Sequence, residues 1–298
     1  MKKYRLEIPR HKLNNVLRAT KIKTIEDLGA YVLFHFKDQD TEFIIYDNTK
    51  NKPYKAIFEG SLLPKDLTPF IIEEIGHSNT QISSKIKDIP QIGSDEVGFG
   101  DFFGPLVVVS AYIDQDILTK IENYQITDSK KLNDSLILMM GNELIKIIPH
   151  MKNIVNNPKY NEVNKSGKNM NEMKAMLHHN VLTKLSRKMA YTGNLYIDKF
   201  TSDNSYFKAT ETMDEAPIIL VPHGEISSVS IAAASIIARY YFLLEMKKIG
   251  DQFGVNIPFG AGKNVDIFAK EFLIKHGKSN LESITKHNFR NFKDLFED

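Results

Sequence analysis

The stretch Ile92-Gly93-Ser94-Asp95-Glu96-Val97-Gly98-Phe99-Gly100-Asp101-Phe102-Phe103-Gly104-Pro105 carries most of the information in this chain. Its first residues read as a strand, and the apolar run Pro105 to Ile113 (PLVVVSAYI) reads as another, so a hairpin opens a sheet here. Two adjacent acids, Asp95 and Glu96, sit on the first strand. Acidic pairs are depleted from strand interiors, because an unpaired buried carboxylate is expensive. Neighbouring strand residues also point to opposite faces, so both acids serve one site only where the strand bends or ends. Gly98 and Gly100 permit that bend and let main-chain N–H groups approach a ligand closely. A charged edge strand running into a glycine turn has the same pattern, and the spacing alone does not separate the two.

Downstream, residues 134–148, 170–189 and 228–247 show helical periodicity and good helix formers. Asn194-Leu195-Tyr196-Ile197-Asp198 and Pro217-Ile218-Ile219-Leu220-Val221 are short apolar runs bounded by turn residues, which predicts buried strands. Residues 91–298 therefore read as an α/β domain with a mixed sheet. Upstream, Tyr31–Phe36, Glu42–Tyr46 and Tyr54–Phe58 alternate and are rich in aromatic and β-branched residues. With helical stretches near 10–18 and 66–76, they predict a small α+β domain over residues 1–78 with an antiparallel sheet. Residues 79–90 read as a linker, beginning in the polar stretch His77–Lys85.

The 298 residues suit two domains, and 42% hydrophobic with 26% charged residues is globular composition. No cysteine is present, which excludes disulfide scaffolds, Cys-ligated zinc, Fe–S clusters and thiol catalysis. Any metal must sit on oxygen or imidazole ligands. The longest apolar runs fall short of the ~20 residues that span a bilayer. The beginning, MKKYRLEIPR, lacks the apolar core of a secretory signal, so a soluble, cytoplasmic protein with no membrane contact is expected. Net charge is only +2, but residues 1–36 hold eight Lys/Arg against three acids, a local excess of +5. Such a segment suits phosphate binding or is a solvated Lys-rich helix face.

Two further acids join the first pair. Asp198 ends an apolar run, at the strand end where α/β sheets carry ligands. Glu225 follows the run 217–221 and precedes the small-residue helix Ser230–Arg239, whose alanines allow close packing. Alone, each is equally a helix cap or a solvated charge. Together, four acids at the ends of buried elements read as a divalent-metal site, with the hard oxygen ligands that Mg²⁺ and Mn²⁺ prefer.

Gly93-Ser94-Asp95-Glu96-Val97-Gly98-Phe99-Gly100, followed by Gly104-Pro105-Leu106-Val107-Val108, resembles the first motif of the type 2 ribonucleases H. Thr127-Asp128-Ser129-Lys130-Lys131-Leu132 is similar to that family's Asp-Ser-Lys-Lys-Leu segment, and Ala233–Arg239 to its Ala-Ala-Ser-Ile helix. The long N-terminal region makes the ribonuclease HIII branch the closest resemblance. That resemblance implies a ribonuclease H-like fold preceded by a small TATA-binding-protein-like, nucleic-acid-binding domain. It implies an endonuclease that hydrolyses the RNA strand of RNA/DNA hybrids by a two-metal mechanism, leaving 5′-phosphate and 3′-hydroxyl ends. The catalytic and metal-ligating acids fall on Asp95, Glu96, Asp198 and Glu225, with two Mg²⁺ or Mn²⁺ ions bound beside substrate. Glu225 stands ten residues before Ser235, where ribonuclease HII generally has Asp and ribonuclease HIII has Glu.

Substrate choice must turn on the 2′-hydroxyl. Ribonuclease HII reads it with a Gly-Arg-Gly loop, which here is Gly98-Phe99-Gly100. The missing Arg implies weak cleavage at a single embedded ribonucleotide, and Phe99 is either a loop contact or a core aromatic. Ser94 reads as a phosphate donor or a buried strand serine. Lys130 and Lys131 read as phosphate contacts or surface lysines. Lys174 and His178 share a helix face, and His178 lines the hybrid groove or is a structural histidine. In the N-terminal domain, Arg10, Lys12, Arg18 and Lys21 with Tyr31, Phe43, Tyr46 and Tyr54 could supply phosphate contacts and stacking. The expected partner is an RNA/DNA hybrid, met by a monomer. The alternatives are ribonuclease HII-like excision of single ribonucleotides from duplex DNA, a non-catalytic nucleic-acid-binding protein, and another two-metal nuclease on the same fold.

Overall fold

The computed structural model describes residues 2–19, 32–37, 40–46, 53–61, 63–75, 88–122, 124, 126, 132–211, 213 and 216–296. The chain forms two compact units, Met1–Gln81 with Asn133–Met139, and Ile82–Leu132 with Met140–Asp298. Most of the stretch read as a linker, and Lys130 and Lys131 with it, lies outside the described residues.

In the first unit the strands β1 (Lys2–Ile8), β2 (Val32–Lys37), β3 (Thr41–Tyr46), β4 (Tyr54–Gly60) and β5 (Ile71–Ile75) form one antiparallel sheet in the order β2-β3-β4-β1-β5. Alternation decides its main core. Leu6 and Ile8 of β1, Phe43 and Ile45 of β3 and Phe58 of β4 bury together with Val16 of α1 (Leu13–Ala19) and Leu67. Between them Glu7 of β1 pairs with Lys55 of β4 across the strands. The opposite side of the sheet is covered too: Ile44, Tyr46 and Ile57 bury against Leu136 and Met139, which belong to the same unit.

Two expectations change here. The helix expected near 66–76 is a short 3₁₀ turn, Lys65–Phe70, followed by β5, which pairs with β1. Pro69 lies inside that turn and has no N–H to continue an α-helix. The basic start of the chain is a strand, with Tyr4, Leu6 and Ile8 facing the core.

In the second unit β6 (Gln91–Val97), β7 (Leu106–Ile113) and β8 (His150–Val155) form an antiparallel meander. The strands β9 (Leu195–Asp198) and β10 (Ile218–Val221) add parallel to it, giving the order β10-β9-β6-β7-β8. The helices are α2 (Gln115–Ile121), α3 (Asp134–Ile147, which belongs to the first unit as far as Met139), α4 (Asn157–Lys165), α5 (Met170–Lys188), α6 (Asp203–Thr210), α7 (Gly224–Ser227), α8 (Val229–Phe253), α9 (Lys263–His276), α10 (Lys278–Ile284) and α11 (Arg290–Phe296). The α/β unit with a mixed sheet is as the sequence predicts.

β6 is the centre of this unit, and its two faces meet different helices. Ile92 packs with Ala175 and Leu182 of α5. Gly93 faces α8 so closely that a Cβ there would lie 2.5 Å from Ser230 Oγ and 2.7 Å from the main-chain N of Ile231. The start of α8 is fixed by Gln91, whose Oε1 accepts from the hydroxyls of Ser228 at 2.6 Å and Ser230 at 3.0 Å. By length and hydropathy α8 is long and apolar enough to cross a membrane, unlike the shorter apolar runs noted in the sequence, but its apolar stretch is 78% buried within the protein.

Because Gly93 lets β6 and α8 touch, Gly93→Ala must push them apart. Overpacking of this kind costs about 1–3 kcal/mol, so the urea midpoint should fall with an unchanged m-value. An unchanged midpoint would show that the contact is slack.

Candidate active site

Alternation along β6 sends its two acids to opposite sides of the sheet. Asp95 points with Gly93 toward α8, where the Ser235 hydroxyl donates to its carboxylate. One Asp95 oxygen also accepts the main-chain N–H of Glu96 at 2.7 Å. Glu96 points toward α5. Lys174 Nζ lies 2.7 Å from its Oε1, and His178 Nε2 lies 2.8 Å from its Oε2. A carboxylate only accepts, so Nε2 carries the proton of that bond. The other ring nitrogen, Nδ1, lies 2.8 Å from Ser94 Oγ, completing a chain from Ser94 through His178 to Glu96.

The third acid is level with the first. β6 and β9 run parallel with Ser94 beside Ile197, and the next step of that register sets Asp95 beside Asp198. One Asp198 oxygen accepts the Gly224 N–H at 2.7 Å. Gly224 must be glycine there, since a Cβ would stand 2.7 Å from Ile231 Cδ1 and 3.0 Å from Asp198 Cα. His223 turns the chain with φ 52, so Glu225 enters α7 directly after the residue bonded to Asp198.

The electrostatics follow from these partners. Burial first, then the charge of Glu96 and more weakly that of Asp198, push the Asp95 carboxyl well above the usual range. Burial acts the same way on Glu96, but the His178 hydrogen bond and the charges of His178 and Lys174 outweigh it and lower its pKa to about 2. Glu96 is therefore balanced by cationic and hydrogen-bonding groups, whereas Asp95 is left in a field of like charge. A divalent cation relieves that field, and the donors are all hard oxygens in a chain without thiols. Among the described residues no three acids or histidines close around a ready-made cation position. The carboxylates of Asp95, Glu96, Asp198 and Glu225 supply the hard oxygen donors that such an ion takes.

The remaining candidates divide clearly. Ser94 and His178 are fully buried and engaged with each other, so neither is presented to a phosphate or lines a groove. Phe99 is 7% exposed and packs with Leu106, Val108, Tyr160, Met173 and Val181, so it is a core aromatic and not a loop contact. Lys174 spans the two groups, paired with Glu96 while its ammonium lies 4.7 Å from the Phe99 ring centre and 5.2 Å from that of Phe200. Gly98 has φ +94, and a Cβ would meet Pro105 O at 2.2 Å, while Gly100 is exposed with open space beside it. Of the Asp-Ser-Lys-Lys-Leu segment only Leu132 is described; its carbonyl accepts from Arg239 of α8 at 3.1 Å. In the first unit Phe43 and Tyr46 are buried and Arg10 lies over Tyr54, leaving Lys12 and Arg18 as exposed cations, while Lys21 and Tyr31 lie outside the described residues. Gln91 and Gly224, which aim α8 and Asp198, carried no signal in the sequence beyond their residue types.

A sheet ordered β10-β9-β6-β7-β8 with acids at the adjoining ends of β6 and β9 defines the ribonuclease H class of nucleases. The chain belongs to the ribonuclease HII family, whose model it matches over residues 92–292. It is similar to ribonuclease HIII of Bacillus cereus strain 03BB102, 37% identical over 210 residues that cover 69% of this chain and 68% of that protein. Ribonuclease HIII of Bacillus cereus strain ZK / E33L is 35% identical over 242 residues, 80% of this chain and 77% of that one. The crystal structure of Bst-RNase HIII in complex with Mn²⁺ is 32% identical, with a TM-score of 0.66 over 98% of this chain and 97% of that one. Aquifex aeolicus RNase H3, at 21% identity and a TM-score of 0.58, shares the fold over 96% of this chain and 100% of that one. Family membership makes the chain a ribonuclease H, a divalent-metal-dependent endonuclease of RNA/DNA hybrids.

His178 acts on the site through Glu96. His178→Ala should lower cleavage activity or metal affinity by about 10–100-fold in a protein that still melts cooperatively. A wild-type rate and Mn²⁺ dependence would remove His178 from the site.

Proposed function

We propose that this chain is a ribonuclease HIII-type enzyme that cuts the RNA strand of uniform RNA/DNA hybrids and leaves 5′-phosphate and 3′-hydroxyl ends. The observation that carries the choice is the inward-turned Phe99. Where ribonuclease HII offers an arginine, this loop offers main-chain groups at Gly98 and Gly100, so a lone ribonucleotide is bound poorly and a continuous hybrid is read by shape and backbone.

Asp95, Glu96, Asp198 and Glu225 would hold two Mg²⁺ or Mn²⁺ ions. When bound, such ions make water nucleophilic near neutral pH and stabilise the charge on a departing oxygen. The protein does the rest. Ser235 and the Glu96 N–H orient Asp95, and Gly224 N–H orients Asp198. His178 and Lys174 hold both oxygens of Glu96 and keep it ionised. Without cations the acids repel the phosphodiester, so binding and cleavage are both gated by metal.

The N-terminal unit is read as a TATA-binding-protein-like module that adds affinity for the hybrid. Exposed Lys12 and Arg18, with Arg10 packed on Tyr54, support phosphate contact as its mode of binding. The buried Phe43 and Tyr46 argue against base stacking by those two rings.

The test is a paired cleavage assay in Mg²⁺, Mn²⁺ and EDTA, on a uniform RNA/DNA hybrid and on a DNA duplex with one embedded ribonucleotide. Cutting of the hybrid alone, and only with metal, is expected. Efficient cutting at the single ribonucleotide would establish ribonuclease HII-type behaviour instead, and intact strands throughout would leave only binding.

A further inference from the structure

Lys286 is fully buried, and no step above uses it. Its ammonium donates to two main-chain carbonyls of the glycine loop between β6 and β7, Asp101 O at 2.6 Å and Gly104 O at 2.8 Å. Its own N–H donates to Phe102 O at 3.0 Å, and Gly104 N–H donates to Ile284 O at 3.1 Å, so the loop pairs with residues 284–286 like a fragment of sheet. Resting on the proposed function, we propose that Lys286 is a positioning residue, the pin that sets the Gly98–Gly104 loop at the height at which its main chain meets the ribose and phosphate at the cut.

A flexible loop cannot do that task, and this one has little rigidity of its own. Gly98 and Gly104 both have positive φ, and a Cβ on Gly100 would meet only open space. Its two aromatic anchors, Phe102 and Phe103, are fully buried. Those rings hold the middle of the loop down but leave inward-facing carbonyls at Asp101 and Gly104, which need donors. A lysine answers both with one group. Its ring neighbours, Tyr160 and Phe289, stand 5.9 Å from the ammonium and supply no donor in its place.

The pin is itself braced. Asn161 of α4 donates to Thr285 O at 2.9 Å and accepts from His287 N–H at 3.0 Å. Tyr160 donates to Asn288 Oδ1 at 2.9 Å. From the far side, Asp101 Oδ1 accepts Gly260 N–H at 2.6 Å, and Gly260 O accepts Phe102 N–H at 2.9 Å. Thus α4, the α8–α9 connection and the segment before α11 converge on seven residues of loop. Burial lowers the Lys286 pKa to about 7, against the raising pull of Asp101.

The test is Lys286→Met, of similar length but without donors, assayed for kcat and KM on the uniform hybrid beside a wild-type control. Misplacement by about 1 Å costs on the order of a hundredfold, so kcat should fall 10–100-fold with KM within threefold. A folded K286M with kcat within twofold of wild type overturns the proposal, as does a loss that tracks the unfolded fraction measured by circular dichroism. If K286M does not fold, Asn161→Ala decides. It leaves the lysine but loosens its brace, and kcat should fall severalfold at constant KM, whereas a wild-type kcat overturns the proposal. Failure of the wild-type control to cut hybrid would instead count against the proposed function.

Discussion

Like charges packed on the two neighbouring interior strands β6 and β9 set the terms for the whole second unit. Asp95 is buried, Asp198 stands level with it on the neighbouring strand, and Glu96 is the next residue along. No globular protein gains stability from that arrangement alone. Each surrounding feature can be understood as a response to it. Alternation sends Glu96 to the α5 side, where Lys174 and His178 neutralise it. A glycine at 224 brings a main-chain N–H onto Asp198. Glycine at 93 and serine at 235 let α8 come close enough to serve Asp95. What is left over is the unfavourable charge on Asp95, which a divalent cation bound there would offset.

The same constraint explains the glycine loop. The chain leaves the acid pair and must turn at once into β7, which pairs back along β6 from Val107 opposite Val97. Positive φ at Gly98 and Gly104 makes the turn, Phe99 is drawn into the core beneath it, and Lys174 lies between that ring and Glu96. The bulky residue in the middle of the loop thus belongs to the support of Glu96, and the outer surface of the loop is main chain.

Much of this was legible in sequence. The β6–β7 hairpin, the strand ends at Asp198 and Val221 and the small-residue helix show strong local periodicity, and the acids stand where that periodicity stops. The errors came where local pattern and partner disagreed. Leu67, Phe70, Ile71 and Ile75 are spaced like one helix face, but Pro69 interrupts the backbone and β1 recruits Ile71–Ile75 as a strand. The charges of β1 hid the alternation of Tyr4, Leu6 and Ile8. In the site, the four-residue spacing put Lys174 and His178 on one face, yet nothing local pointed to Glu96, which is 78 residues from Lys174. Lys286 gave no signal, because its partners are carbonyls 185 and 182 residues away that every residue possesses.

The central claim is that ionised Asp95 is a cost to the metal-free fold and an asset to the metal-bound one. Its folded-state pKa is raised, so its contribution is fully present below the unfolded value and is lost as pH rises through the folded one. Thermal melting of wild type and Asp95→Asn at pH 8, in EDTA and in Mn²⁺, measures this directly. In EDTA the variant should melt higher, by about 2–4 °C for each kcal/mol of repulsion removed, and the difference should shrink at acidic pH. Mn²⁺ should raise the wild-type midpoint and leave the variant nearly unmoved. A variant that melts below wild type in EDTA, or that responds to Mn²⁺ as wild type does, would contradict the account.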